Sequence, residues 1–160
     1  MAVRTMYPHQ MEGLTSPPVR HLPENASESF VLGAVLISDN GSNAVEASDD
    51  PVANIIGVSG QAASGTTDDD VLFYPIMRGM LFEVSVGLTA DETTGTTATN
   101  LIGDAYRMRQ VTASGIWYVD ITSEGTAPCV RIVEILDATT VNGRVMVEFL
   151  DDVADVVDDA

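Results

Sequence analysis

Residues 50–86 read DPVANIIGVSGQAASGTTDDDVLFYPIMRGMLFEVSV. Three short apolar runs lie in this stretch, at 54–58, 71–76 and 81–86. Gly57 and Gly60 punctuate the first, Asp68, Asp69 and Asp70 precede the second, and Met77-Arg78-Gly79 separates the second from the third. In the third run Phe82, Val84 and Val86 alternate with Leu81, Glu83 and Ser85. Period-2 alternation bounded by Gly, Pro and Asp predicts half-buried antiparallel strands.

The same pattern extends in both directions. Upstream, residues 30–37 (FVLGAVLI) predict a buried strand, with Gly33 marking a bulge or a close approach. Asp39-Asn40-Gly41 is a hairpin turn signal leading to a weaker return at 43–47. Downstream, 101–111 and 116–121 form a hairpin around Thr112–Gly115, and 130–136 pairs with 144–150 across Asn142-Gly143. Trp117, the single tryptophan, is expected as a core anchor. About seven to nine short strands separated by turn signals, with no clear helix, predict an all-β fold, a small β-barrel or β-sandwich. No internal repeat stands out.

A chain of 160 residues is long enough for one self-sufficient core. We divide it into an extended Pro-rich N-terminal arm (1–27), a β-rich body (28–150) and an acidic C-terminal tail (151–160, DDVADVVDDA). The arm holds Pro8, Pro17, Pro18 and Pro23 but also apolar residues, so it is expected either to order against another surface or to fray. The Thr- and Gly-rich segment 87–100 reads as a long loop, functional or disordered. The tail is expected to be solvated, or held as a short strand by a neighbouring subunit.

The formal net charge is −17. This argues against nucleic acid and against anionic membrane surfaces, both of which need clustered cations. No apolar run approaches the ~20 residues of a membrane span, and the N-terminus shows no apolar signal region. All 7 basic residues are Arg. Interface chemistry and a high-GC genome both produce that bias, and composition leaves both open. The single cysteine, Cys129, excludes an intrachain disulfide and reads as a buried small hydrophobe.

No catalytic, cofactor or metal site is expected. His9 and His21 lie in the arm without acidic or cysteine partners at ligand spacing. Asp68-Asp69-Asp70 lacks the spaced acids, central Gly and terminal Glu of a calcium loop and reads as a solvated turn. Gly57-Val58-Ser59-Gly60 is not a nucleophile elbow, because neither a helix nor a base follows it.

Several stretches resemble the small head-decoration, or cement, proteins of tailed bacteriophages. They are Ile55-Ile56-Gly57-Val58 with its Gly-rich turn, residues 71–86 with the Arg78-Gly79 turn, and Ile102-Gly103-Asp104-Ala105-Tyr106 leading to Gly115-Ile116-Trp117-Tyr118-Val119-Asp120. The closing pair, 130–136 and 142–149, completes the set. Together they span most of 30–150. The resemblance implies a structural virion protein, made in the host cytoplasm, that sits on the capsid exterior as a homotrimer. It would bind the major capsid protein, use no cofactor, and stabilise the mature head by bridging subunits. Its arm would make the contact, and Tyr7, Met11, Leu14 and Val19 are the expected capsid-contact residues. The rival readings are another virion component, head–tail or tail, and a soluble carbohydrate- or ligand-binding β-sandwich.

Overall fold

The computed structural model describes residues 2–9, 16–89, 91–122 and 127–154. The fold is all-β. Strands β1 (Tyr7–Pro8), β2 (Arg20–Pro23), β3 (Val35–Asp39), β4 (Asn43–Glu46), β5 (Ile55–Ser59) and β6 (Asp70–Pro75) precede β7 (Phe82–Gly87), β8 (Ala105–Gln110), β9 (Trp117–Asp120), β10 (Val130–Ile135) and β11 (Arg144–Phe149). Strands β7-β11-β10-β8-β9 follow one another in a ring, and β9 returns to β7 through the parallel pairs Val86↔Val119 and Gly87↔Asp120. This closes a five-stranded barrel, in which β9 covers only the end of β7 and β1 pairs with its outer side at Phe82 and Glu83. The first half forms a second five-stranded sheet in the order β2-β6-β5-β3-β4. Its two ends meet at the parallel bridge Glu24↔Ala44, where Asn43 Nδ2 also donates to the Glu24 carbonyl at 3.3 Å.

The two halves are copies of one topology. Matching β2–β6 with β7–β11 in chain order gives the same neighbour sequence and the same parallel closure. The register agrees pair by pair. Arg20↔Phe73 corresponds to Phe82↔Val147, Val35↔Val58 to Ala105↔Arg131, Val58↔Tyr74 to Arg131↔Glu148, and Ser38↔Ala44 to Met108↔Val119. Loop hydrogen bonds repeat too. Gly33 N donates to Ser59 O (3.0 Å) as Gly103 N does to Ile132 O (2.8 Å), and Ile76 N to Ile56 O (3.0 Å) as Leu150 N does to Cys129 O (2.9 Å). Left-handed backbone recurs at equivalent places: Gly33 and Gly103 (φ 82° and 92°), Asn54 and Ala127 (59° and 48°), Asp68 and Asn142 (67° and 50°). Along the matched strands and the turns that carry these bonds, only Gly33/Gly103 and Val71/Val145 keep the residue type, whereas apolar character persists at many others. The repeat is therefore carried by pattern and turn geometry rather than by identity.

One hydrophobic cluster runs through both halves, with Leu36, Ile55, Val58 and Phe73 from the first and Phe82, Tyr106, Trp117 and Val147 from the second. Phe82 and Phe149 meet edge to face with centroids 5.5 Å apart, a favoured aromatic geometry. Trp117 is fully buried, and its indole N–H donates to Glu46 at 3.1 Å. Burial pushes the Cys129 thiol up to about 12.

Three expectations change. First, β7 is buried on both faces, not one. On its second face Ser85 accepts from Arg4 N and Glu83 ion-pairs with Arg144, while β1 pairs along its edge. Second, of the two readings of the 87–100 loop, functional or disordered, the described residues 87–89 and 91–100 are held in place. Asn142 Nδ2 lies 2.8 Å from the Val86 carbonyl, 3.0 Å from that of Glu92 and 3.4 Å from that of Thr94, and Asn142 N donates to Gly95 O at 2.7 Å. Thr97 is fully buried, with its hydroxyl donating to Asp137 O. Third, described parts of the arm and tail are integral to the sheets. Strand β1 pairs with β7, β2 with β6, and Ala154 forms a parallel bridge to Ile55.

Candidate interaction surface

The buried charges of this molecule act as scaffold. Glu24 is buried, and burial alone would raise its pKa. Hydrogen bonds from Ser64, Thr66 and Gly65 outweigh that and hold it below the ordinary carboxylate range. Asp120 is likewise buried. Burial is again opposed, here by donation from Thr122, Thr89 and Arg107, and its pKa falls. Arg107 Nε lies 2.8 Å from Asp120 and Arg144 Nε 2.8 Å from Asp137. Each clamp fastens a loop or a strand end, and none faces an open cavity as an isolated charge.

The accessible features are different. Tyr7 sits on β1, opposite Glu83, and is 45% exposed. Its hydroxyl donates to the Glu83 carboxylate, which with burial pushes the phenol up. Val19, just before β2, is 49% exposed. The two expected contact residues thus lie beside equivalent strands of opposite halves, β7 and β2. The other two, Met11 and Leu14, fall outside the described residues, as does the tail beyond Ala154.

Residue-by-residue reading of the sequence did not single out a second set. Leu32 and Ile102 are equivalent positions, each directly before its left-handed glycine, and are 49% and 47% exposed. A repeat would have had to be recognised for this pair to be found. Between the halves lies a groove of about 940 Å³. Phe73 and Arg78 line it from the first half, Phe149 and Asp152 from the second, and Arg20 and Arg131 complete its rim. Arg131 pairs with Glu148 across the strands at 3.3 Å, a partly exposed bridge of modest worth.

Among the described residues no group of three or more His, Cys, Asp or Glu side chains is placed to hold a metal, and no helix is long and apolar enough to cross a membrane. No protein-family model and no curated protein matches this chain.

Proposed function

We propose that the chain is a non-enzymatic structural protein that binds the outer surface of a phage capsid and stabilises the head by bridging major capsid protein subunits. One observation carries the bridging role: the two halves share one topology and present an apolar side chain, Leu32 or Ile102, at the same place. A protein with two like faces suits a lattice of like sites. Linked binding of two weak faces raises affinity without new kinds of contact. The homotrimer belongs to the same proposal and would multiply the effect.

The test mixes the purified chain with undecorated expanded heads and measures bound copies by sedimentation and electron microscopy. Stoichiometric decoration of the outer lattice is expected. Leu32→Asp and Ile102→Asp should each weaken it, and the double variant should weaken it by more than either alone. A well-folded chain that never pellets with heads overturns the reading. Deleting residues 1–22 is not a usable test of the arm, because it removes buried Met6 and most of β2. Tyr7→Ala and Val19→Asp alter exposed groups instead. The groove favours a second reading, binding of a small ligand, and a glycan or metabolite screen with the free chain addresses it.

A further inference from the structure

The repeat allows each half to be checked against the other. In the second half β1 lies along the outer edge of β7, with Tyr7 opposite Glu83 and Pro8 opposite Phe82, and His9 N donates to Leu81 O at 2.7 Å. The equivalent edge in the first half belongs to β2, where His21 corresponds to Glu83 and Val19 to Leu81.

That edge is open. Glu24 N donates to Asp69 O at 2.9 Å, so the Glu24 backbone faces β6. In an antiparallel ladder alternate residues turn their N–H and C=O the same way. Leu22 and Arg20 therefore face β6, and the N–H and C=O of His21 point outward. The register supports this: Leu72, opposite His21, turns its carbonyl to Gly60 N at 2.8 Å instead. No strand pairs with the outer side of His21 among the described residues, and both His21 and Val19 are exposed. The seat of β1 also includes Gly33, where an added Cβ would lie 2.5 Å from Met6 O. At its counterpart, Gly103, an added Cβ meets nothing within 4 Å.

We infer that the outer edge of β2 is an acceptor for a strand donated by a different protein, an extended segment free of acid and carrying a cation. Two observations fix the chemistry. The chain fills the equivalent edge with residues 2–9, AVRTMYPH, which hold Arg4 and no acid. The body around the open edge belongs to a molecule of net charge −17, which repels an acidic strand, and a second copy already has its own segment 2–9 seated on its β7. Main-chain bonds would supply affinity, and the side chains flanking His21 the selection. The inference goes beyond the capsid reading and stands without it.

The experiment uses the full-length ¹⁵N-labelled chain and, as stand-in for the donor, a synthetic amidated peptide AVRTMYPH. Saturable shifts are expected at the Val19 and His21 amides, with His21 hydrogen exchange slowed about tenfold or more at saturation. His21→Pro removes only an outward N–H and leaves the β2–β6 ladder whole, so it should weaken binding about tenfold with little change in Tm. Replacing the peptide's Arg by Asp should weaken it further. Shifts confined to the β7 edge, absence of shifts, or undiminished binding by a folded His21→Pro chain overturn the inference. The exchange measurement on the unmodified chain decides the matter even where the proline variant fails to fold. Self-association of the free chain that His21→Pro abolishes would make the occupant a second copy and overturn the assignment to a different protein.

Discussion

Two glycines show how one residue type carries different constraints. Gly33 and Gly103 both hold left-handed backbone, which disfavours any side chain by about 1–2 kcal/mol. Only Gly33 is also packed against the backbone of Met6 and the side chain of Thr5. Gly33→Ala is therefore expected to cost about 2 kcal/mol more than Gly103→Ala, through overpacking, measured as the difference in denaturant midpoint at equal m. Equal effects would mean that residues 5–6 do not rest on Gly33 in solution. Asn142 is the residue on which the 87–100 segment depends. Asn142→Ala removes the amide that three carbonyls share and leaves a left-handed alanine, so a loss of about 3 kcal/mol is expected in equilibrium unfolding. Glu46 is the contrary case. Burial pushes its carboxyl up, donation from Trp117 lowers it, and the charges of Glu28 and Asp49 raise it again. A carboxyl whose folded pKa is raised loses stabilisation as pH rises through that value. Glu46→Gln keeps an acceptor for Trp117 and should leave stability at pH 7 unchanged or higher by up to about 1 kcal/mol.

At the scale of elements, the strands were legible in the sequence wherever alternation met a turn signal. The hairpins around Asn40-Gly41, Thr112–Gly115 and Asn142-Gly143 all form at the expected places. Burial was misread where a strand acquires a second cover. Glu83 and Ser85 look solvent-facing by alternation, but Arg144 pairs with the first and the Arg4 backbone with the second, and no local window contains that information. The order of the described part of 87–100 was not legible for the same reason, since it comes from Asn142, some fifty residues downstream of Glu92. The repeat escaped because a register is a property of pairs. Leu36 and Tyr106, or Phe73 and Val147, share burial and partners but not identity, and unequal loops shift the spacing. Of the contact residues read from the sequence, Tyr7 and Val19 are accessible, while Leu32, Ile102 and His21 stand out only when the halves are laid on each other. Removing β1 by deleting residues 2–9 tests its role as a fitted element. It uncovers the Met6 seat and should destabilise the chain by about 2–4 kcal/mol, with the Glu83 amide losing exchange protection first.

For the whole molecule, acid is the informative perturbation. Glu24, Asp120 and Asp137 are all held below the ordinary carboxylate range. A group whose folded pKa is depressed stabilises fully above its unfolded value, and that contribution is lost as pH falls through the folded one. The loss should begin near pH 4, where free carboxylates titrate, and continue below it. Protonating the many surface acids relieves self-repulsion over the same range and opposes the trend. The expected curve is therefore flat or slightly rising from pH 7 to about 5, then falling steeply. Thermal unfolding across pH 2–7 checks this, and Glu24→Gln should flatten the acid limb at the cost of lower stability at neutral pH. An unbroken rise in stability down to pH 2 would show that repulsion outweighs these three clamps.

Crossed fastenings tie the halves together. Arg4 N reaches Ser85 Oγ, 81 positions away, and Ile55 N takes the carbonyl of Val153 at 3.0 Å. On the ribosome this arrangement imposes a delay. The opening segment leaves first, yet the strand it must join is made roughly 4–16 s later at 5–20 residues per second. The earlier half in turn waits for Val153 to be added before Ile55 has its partner. A prematurely terminated product would carry a bare β5 flank and, if cut early, an unemployed leading segment. Folding of both halves therefore waits on synthesis through Val153, and a chain cut before it remains visible to chaperones and proteases as unfinished.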